Sequence, residues 1–211
     1  MSYEPFIDDP EHIRELDGQR FVVLRPAMPV TQCHRHVQDL VRRRLRGLPV
    51  SYPARAHVTL AGFALGTSFE SVQNLVSEWV RDVPSLRIEV EDARSFPAPF
   101  QIAILKVVKT SALFSALHGL RRKGEQWGLK LSTVTPAEEW VFHMSLAYCS
   151  KLTPADWSAL VAWFETLAVP SASCVQETVE IVGFDHGREY SGGIHSLSRE
   201  TPGSGSTGIA V

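Results

Sequence analysis

Two short stretches bring together residue types that could do chemistry: "ARAHVTLAGF" at 54–63 and "WVFHMSLAYC" at 140–149. Each sets a histidine two residues ahead of a hydroxyl side chain, His57 with Thr59 and His143 with Ser145, inside an otherwise apolar run. Side chains on an extended strand alternate faces with a period of two. His57 and Thr59 therefore share one face while Val58 and Leu60 turn to the other, and His143 and Ser145 do the same against Met144 and Leu146. Each stretch thus presents an imidazole beside a hydroxyl, anchored by two apolar residues behind. Set face to face, the two would form a cleft with two imidazoles and two hydroxyls. A phosphate suits such a cleft. Hydroxyls and a protonated imidazole donate to its oxygens, while a neutral imidazole can take a proton from an attacking water. One such pair on a strand carries little information. Two pairs, each followed by leucine and each on an equivalent strand, point to function.

The elements that must position them occur in the same order twice. "QRFVVLRPA" (19–27) reads as a strand ended by Pro26 and Pro29, and 31–48 as a helix with Val37, Leu40, Val41, Leu45 and Leu48 on one side. The His57 strand follows, closed by Gly62, and then a helix over 67–83 begun at Thr67 or Ser68. Residues 85–96 alternate as a half-exposed strand, and Pro97-Ala98-Pro99 turns the chain into a buried strand at 100–108. The second round is a helix over 110–128, the His143 strand over 139–149, a helix over 153–167 and a strand over 173–184. Thr153 and Pro154 give that last helix its start signal. Both motif strands are expected to be central, with His57 and His143 facing each other across one cleft. A single bilobal domain is expected over 1–199. The Gly/Ser-rich segment 200–211 reads as a disordered tail.

Composition narrows the function classes. With 211 residues, 44% hydrophobic and 21% charged, the chain reads as one folded domain, and a net charge of −2 supplies no global field for nucleic acid. Any such binding needs a local basic cleft. Cys33, Cys149 and Cys174 are odd in number and widely spaced, which argues for reduced buried thiols over a disulfide framework or a thiolate zinc site. The acidic opening "MSYEPFIDDPEHIRELDG" has no apolar h-region, and no uncharged apolar stretch approaches the roughly 20 residues a bilayer requires. The expected address is the cytoplasm, and no membrane partner is expected.

"HVTL" and "HMSL", in this order of elements, resemble the paired signatures of the two-histidine (2H) phosphoesterase superfamily. That superfamily includes bacterial 2′-5′ RNA ligase-like proteins and RNA 2′,3′-cyclic phosphodiesterases. The resemblance covers about residues 19–184. It implies an α+β fold of two pseudo-symmetric lobes, each of antiparallel strands backed by helices, around a water-filled central cleft. It also implies metal-free hydrolysis of a nucleotide or RNA 2′,3′-cyclic phosphate or related phosphodiester. His57 would protonate the leaving oxygen, His143 would activate water, and Thr59 and Ser145 would hold the phosphoryl oxygens; the symmetry also admits the reverse split.

Other residues are weaker candidates. Arg55 shares the parity of His57 and Thr59 and could meet the phosphate, while Phe63 could stack on a base if the chain has left the strand there. Tyr148 and Trp140 share the parity of Met144, which favours packing, although Tyr148 stays a candidate substrate contact. "RRRLRG" (42–47) reads as the solvated face of a helix. His34 and His36, two apart on a helix, point about 200° apart and make a poor chelate. His186 and His195 fall in a Gly-rich region with no assignment. No cofactor, metal or obligate protein partner is expected, and the chain reads as a monomer acting on a nucleotide or RNA end. Two other readings stay open: a non-catalytic module that holds a nucleotide or RNA end, and 2′-5′ RNA ligation by the same site.

Overall fold

Among the described residues, three of the four long α-helices open on a side-chain cap. In the computed structural model, which describes residues 14, 16–132, 135–185 and 188–198, Ser68, Thr110 and Thr153 each accept from the backbone N–H three residues on. The elements run β1 (Arg20–Leu24), α1 (Met28–Arg44), β2 (Val58–Phe63), α2 (Phe69–Trp79), β3 (Leu86–Phe96), β4 (Ile102–Val107), α3 (Ser111–Gln126), β5 (His143–Tyr148), α4 (Pro154–Phe164), β6 (Ser173–Gln176), β7 (Thr178–Asp185) and β8 (Arg188–Ser196). Helix α1 starts three residues earlier than its periodicity suggests, because Pro29 sits in its first turn, where a fixed φ and a missing N–H cost nothing. The segment 200–211 and His186 lie outside the described residues.

The strands form two four-stranded antiparallel sheets, ordered β2-β1-β7-β8 and β5-β4-β3-β6. This is the α+β class expected, with one motif strand in each sheet. The expectation that the motif strands are central does not hold: β2 and β5 are edge strands. The strands that precede them in the sheets spend their second edge elsewhere: β4 on β3, its hairpin neighbour, and β1 on β7, a pairing between distant segments that no local pattern encodes. The exposed edges are nevertheless covered. Ser51 and Tyr148 exchange both backbone hydrogen bonds, at 3.1 and 2.8 Å, so the segment leading into β2 lies along β5. In return, Ala64 N–H donates to Lys130 and Ser132 N–H to Gly62, both at 2.9 Å, so the segment leading into β5 lies along β2.

The helices are exchanged in the same way. Helix α1, which follows β1, packs on β5, β6 and β3 of the other sheet, and α3, which follows β4, packs on β2 of the other sheet as well as on β3 of its own. Helix α2 rests on β8 and α3, and α4 on β3. One continuous core results, joining Leu24, Val58 and Leu60 to Leu105, Met144 and Leu146 through Val37, Val41, Leu113 and Leu117 of the helices. Residues 173–184, expected as one strand, divide at Glu177, where the chain passes from β6 in one sheet to β7 in the other. Strand β8 carries no alternating pattern. Its Gly192, with Gly183 of β7, leaves room for the Phe69 ring, which a Cβ at either position would strike.

Candidate active site

A β-bulge follows the hydroxyl residue in each motif strand. Val23 pairs with Thr59 and Val22 with Ala61, leaving Leu60 as the extra residue of β2; Ile104 pairs with Ser145 and Ala103 with Ala147, leaving Leu146 as the extra residue of β5. Up to the bulge the period of two holds, and past it the faces exchange. Val58, Leu60, Met144 and Leu146 are fully buried behind the site. His57, Thr59, His143 and Ser145 all open onto one cavity of about 200 Å³.

The exchange of faces decides two further candidates. Phe63 shares the parity of His57 but lies past the bulge, so it is fully buried in the core and does not reach the cavity. Tyr148 shares the parity of Met144, yet for the same reason it turns back and lines the cavity beside His143 and Ser145. Arg55 is exposed in a bend before β2, where strand parity does not apply; its charge reaches Glu189. Trp140 packs against the core with the Arg121 guanidinium 4.5 Å from its ring centroid. Arg42, Arg43, Arg44 and Arg46 are exposed, His36 is exposed, and His195 of β8 lies 3.3 Å from Ser77 Oγ.

Both imidazoles are held from behind. His143 Nδ1–H donates to the Val141 carbonyl at 2.8 Å, which leaves Nε2 as the nitrogen available to the cavity. His57 makes the equivalent bond to the backbone of Arg55, again two residues upstream. The Phe96 ring meets His143 edge-on, with centroids 4.9 Å apart. Burial pushes the His57 pKa down to about 3, helped by the charge of Arg25 and by His143 and opposed by the Arg55 backbone. Burial also lowers His143, against the opposing pull of the Val141 carbonyl. Arg25, just beyond β1, is itself held by Glu180 at 2.7 Å and by Glu189, whose carboxyl burial pushes up against the pull of Arg25. Both imidazoles are thus neutral near pH 7. An anionic phosphate placed between them would favour proton uptake.

The rest of the cavity is apolar. Phe21 and Val23 of β1, Val182 and Phe184 of β7, Ile102 of β4 and Leu16 complete its walls, with Phe21 and Phe184 edge to face at 5.8 Å. The parity of Phe21 and Val23 is legible in "RFVVL", but only the pairing of β1 with β2 shows that this face is the cleft. Among the described residues, no three His, Cys, Asp or Glu side chains gather as a metal ion would require. No helix among them is long and apolar enough to cross a membrane.

Two antiparallel sheets that each contribute a histidine–hydroxyl pair to one cavity are the frame of a two-histidine phosphoesterase. A model of the 2′-5′ RNA ligase superfamily matches residues 29–188, and the chain belongs to that superfamily. No curated protein matches it. Among solved structures it is similar to TT0787 of Thermus thermophilus, with a TM-score of 0.63 at 18% identity over 86% of this chain and 99% of that one. It is also similar to E. coli LigT in its apo form (TM-score 0.60, 14% identity, 86% and 98% coverage) and complexed with 3′-AMP (0.59, 14%, 86% and 98%). At these identities the likeness concerns the fold.

Proposed function

We propose that this chain hydrolyses a 2′,3′-cyclic phosphate, on a nucleotide or at an RNA end, with His57 and His143 as its acid and base. The observation that carries the reading is that both imidazoles and both hydroxyls open onto one cavity, each ring held by the backbone two residues upstream. His143 Nε2 takes a proton from water as its oxygen attacks phosphorus. His57 gives a proton to the ribose oxygen whose bond to phosphorus breaks. The product is the ring-opened phosphomonoester, and proton exchange with solvent resets the pair. Thr59 and Ser145 donate to the phosphoryl oxygens that gain charge. Phosphate charge would favour the protonated form of His57, against the burial and the Arg25 charge that lower its pKa. The 3′-AMP bound to LigT, a nucleoside phosphomonoester, supports the substrate class. The superfamily's name supports one variation: a ribose hydroxyl attacking in place of water would join RNA ends 2′-5′.

The test is to incubate the purified chain with nucleoside 2′,3′-cyclic phosphates, and with an oligoribonucleotide ending in one, in the presence of EDTA. Ring-opened monophosphate is expected at a rate that EDTA leaves unchanged. Folded protein that opens none of these substrates would refute the reading, and turnover lost in EDTA but restored by zinc or manganese would refute the metal-free mechanism.

A further inference from the structure

Helix α1 sends two buried side chains into the backbone of the opposite lobe. Gln38, 8% exposed, uses both N–H groups of its amide: Nε2 donates to the Pro53 carbonyl at 3.0 Å and to the Leu146 carbonyl at 3.1 Å. Pro53 lies in the segment leading to His57, and Leu146 is the extra residue of the β5 bulge. One side chain therefore ties the approach to the first motif to the bulge of the second. One turn earlier, His34, 2% exposed, donates from Nε2 to the Ser145 carbonyl at 2.8 Å. These bonds satisfy carbonyls on both sides of the step where the β5 ladder slips. An unmet bond at a buried polar group costs more than a met one yields, so the arrangement selects the bulged register over the regular one.

The bulge brings Tyr148 into the cavity, where its hydroxyl hydrogen-bonds the Ser145 side chain. The corresponding position in β2 is Gly62. There a side chain would strike Ser132 Oγ and the Phe21 ring. Two strands with the same bulge thus fill the next cleft-facing position differently, and only the His143 side carries a second hydroxyl.

We propose that Tyr148 is a third hydroxyl contact to the phosphoryl group, and that Gln38 and His34 are positioning residues that hold it there through the β5 bulge. This rests on the reading of the cavity as a phosphate site. It makes the site asymmetric: His143 works beside two hydroxyls and His57 beside one hydroxyl and the charge of Arg25.

The experiment measures inorganic phosphate binding by calorimetry and cyclic-phosphate turnover for wild type, Tyr148→Phe, Gln38→Met and the double variant. Tyr148→Phe is expected to lose about 10- to 100-fold in kcat/KM and to weaken phosphate binding, as for a lost hydrogen bond to a charged oxygen. Gln38→Met keeps volume without the donors and should lose activity in the same direction. The double variant should fall short of the product of the two losses, because both act through Tyr148. Should Gln38→Met fail to fold, His34→Phe removes the neighbouring donor and is read the same way. If wild type turns substrate over and Tyr148→Phe matches it in both measurements, the inference falls and the functional reading stands. If wild type opens no cyclic phosphate but binds phosphate through Tyr148, the hydrolytic reading falls and the contact stands. Wild type that neither binds phosphate nor opens cyclic phosphate would overturn both, and wild type that opens it with no affinity for phosphate and no loss in Tyr148→Phe would overturn the inference alone.

Discussion

His57 and His143 are gripped alike: each ring hydrogen-bonds the backbone two residues before it, Arg55 for one and Val141 for the other. A ring tethered through one nitrogen has one nitrogen left for proton transfer. Each positioned proton-transfer group typically contributes about 10²- to 10⁴-fold to a rate. His57→Ala and His143→Ala should each lose on that order, and the double variant less than the product, because the two act as a unit. Thr59→Ala and Ser145→Ala leave both rings in place and should cost about 1.5–3 kcal/mol of transition-state stabilisation. Steady-state kinetics measure the losses. Far-ultraviolet spectra of all four should match wild type, since these side chains face the cavity.

The pH dependence of the rate follows from the two lowered pKa values. The profile of kcat/KM reports the free enzyme, in which burial holds His143 below its ordinary 6.5 and holds His57, with Arg25 nearby, at about 3. The bell in kcat/KM should therefore peak below pH 6.5. In kcat, which reports the complex, bound phosphate raises both groups and shifts the bell upward. Coincident profiles with an optimum above pH 8 would contradict this electrostatic account.

Stability should move with the same groups. A histidine lowered in the folded state binds fewer protons there than in the unfolded chain, between its folded pKa and about 6.5. His57 therefore contributes stability that is fully present above pH 6.5 and is lost progressively as pH falls toward 3. His34 and His143 act with the same sign, while the raised carboxyl of Glu189 works in the opposite sense at the acid end. Urea denaturation at pH 7 and pH 4.5 should show the midpoint falling, and falling less in His57→Asn.

The cysteines give an independent check on burial. Cys149 is fully buried, and burial pushes its thiol from 9.0 up to about 12, partly offset by the Ala103 backbone. Its thiolate fraction at neutral pH should drop on the order of 10³-fold. Native protein treated with a maleimide should label first at half-buried Cys174, and at Cys149 only after denaturation. Peptide mapping by mass spectrometry decides the order.

What the sequence makes legible here is whatever has a short period. Helices α1, α2 and α3 show their apolar stripes and α4 its Thr153-Pro154 start signal, and the motif strands show His57 with Thr59 and His143 with Ser145 on one face, where the structure also has them. Three things stay hidden. The bulges at Leu60 and Leu146 break the period within the motif itself, so parity sends Phe63 to the cleft and Tyr148 to the core when each goes the other way. Strand β8 lacks side-chain alternation, and its Gly192, with Gly183 of β7, makes room for Phe69. The pairing of β1 with β7, which leaves β2 at an edge, joins segments far apart in the chain, where local propensity carries no information.

The exchange of helices and edge segments between the two halves has a bearing on ancestry. A chain ending before β4 would keep a first motif, but α1 would have no sheet to rest on and β2 no strand along its outer edge. Two identical copies of such a half could meet both needs by trading these parts across a twofold axis, as swapped homodimers do. Duplication and fusion of such a half would give this arrangement of helices and edges. Each half relies on the other to cover its helix and the outer edge of its motif strand. A single polypeptide can hold glycine at 62 and tyrosine at 148 in corresponding places, a difference that a symmetric dimer encoded by a single sequence can never hold.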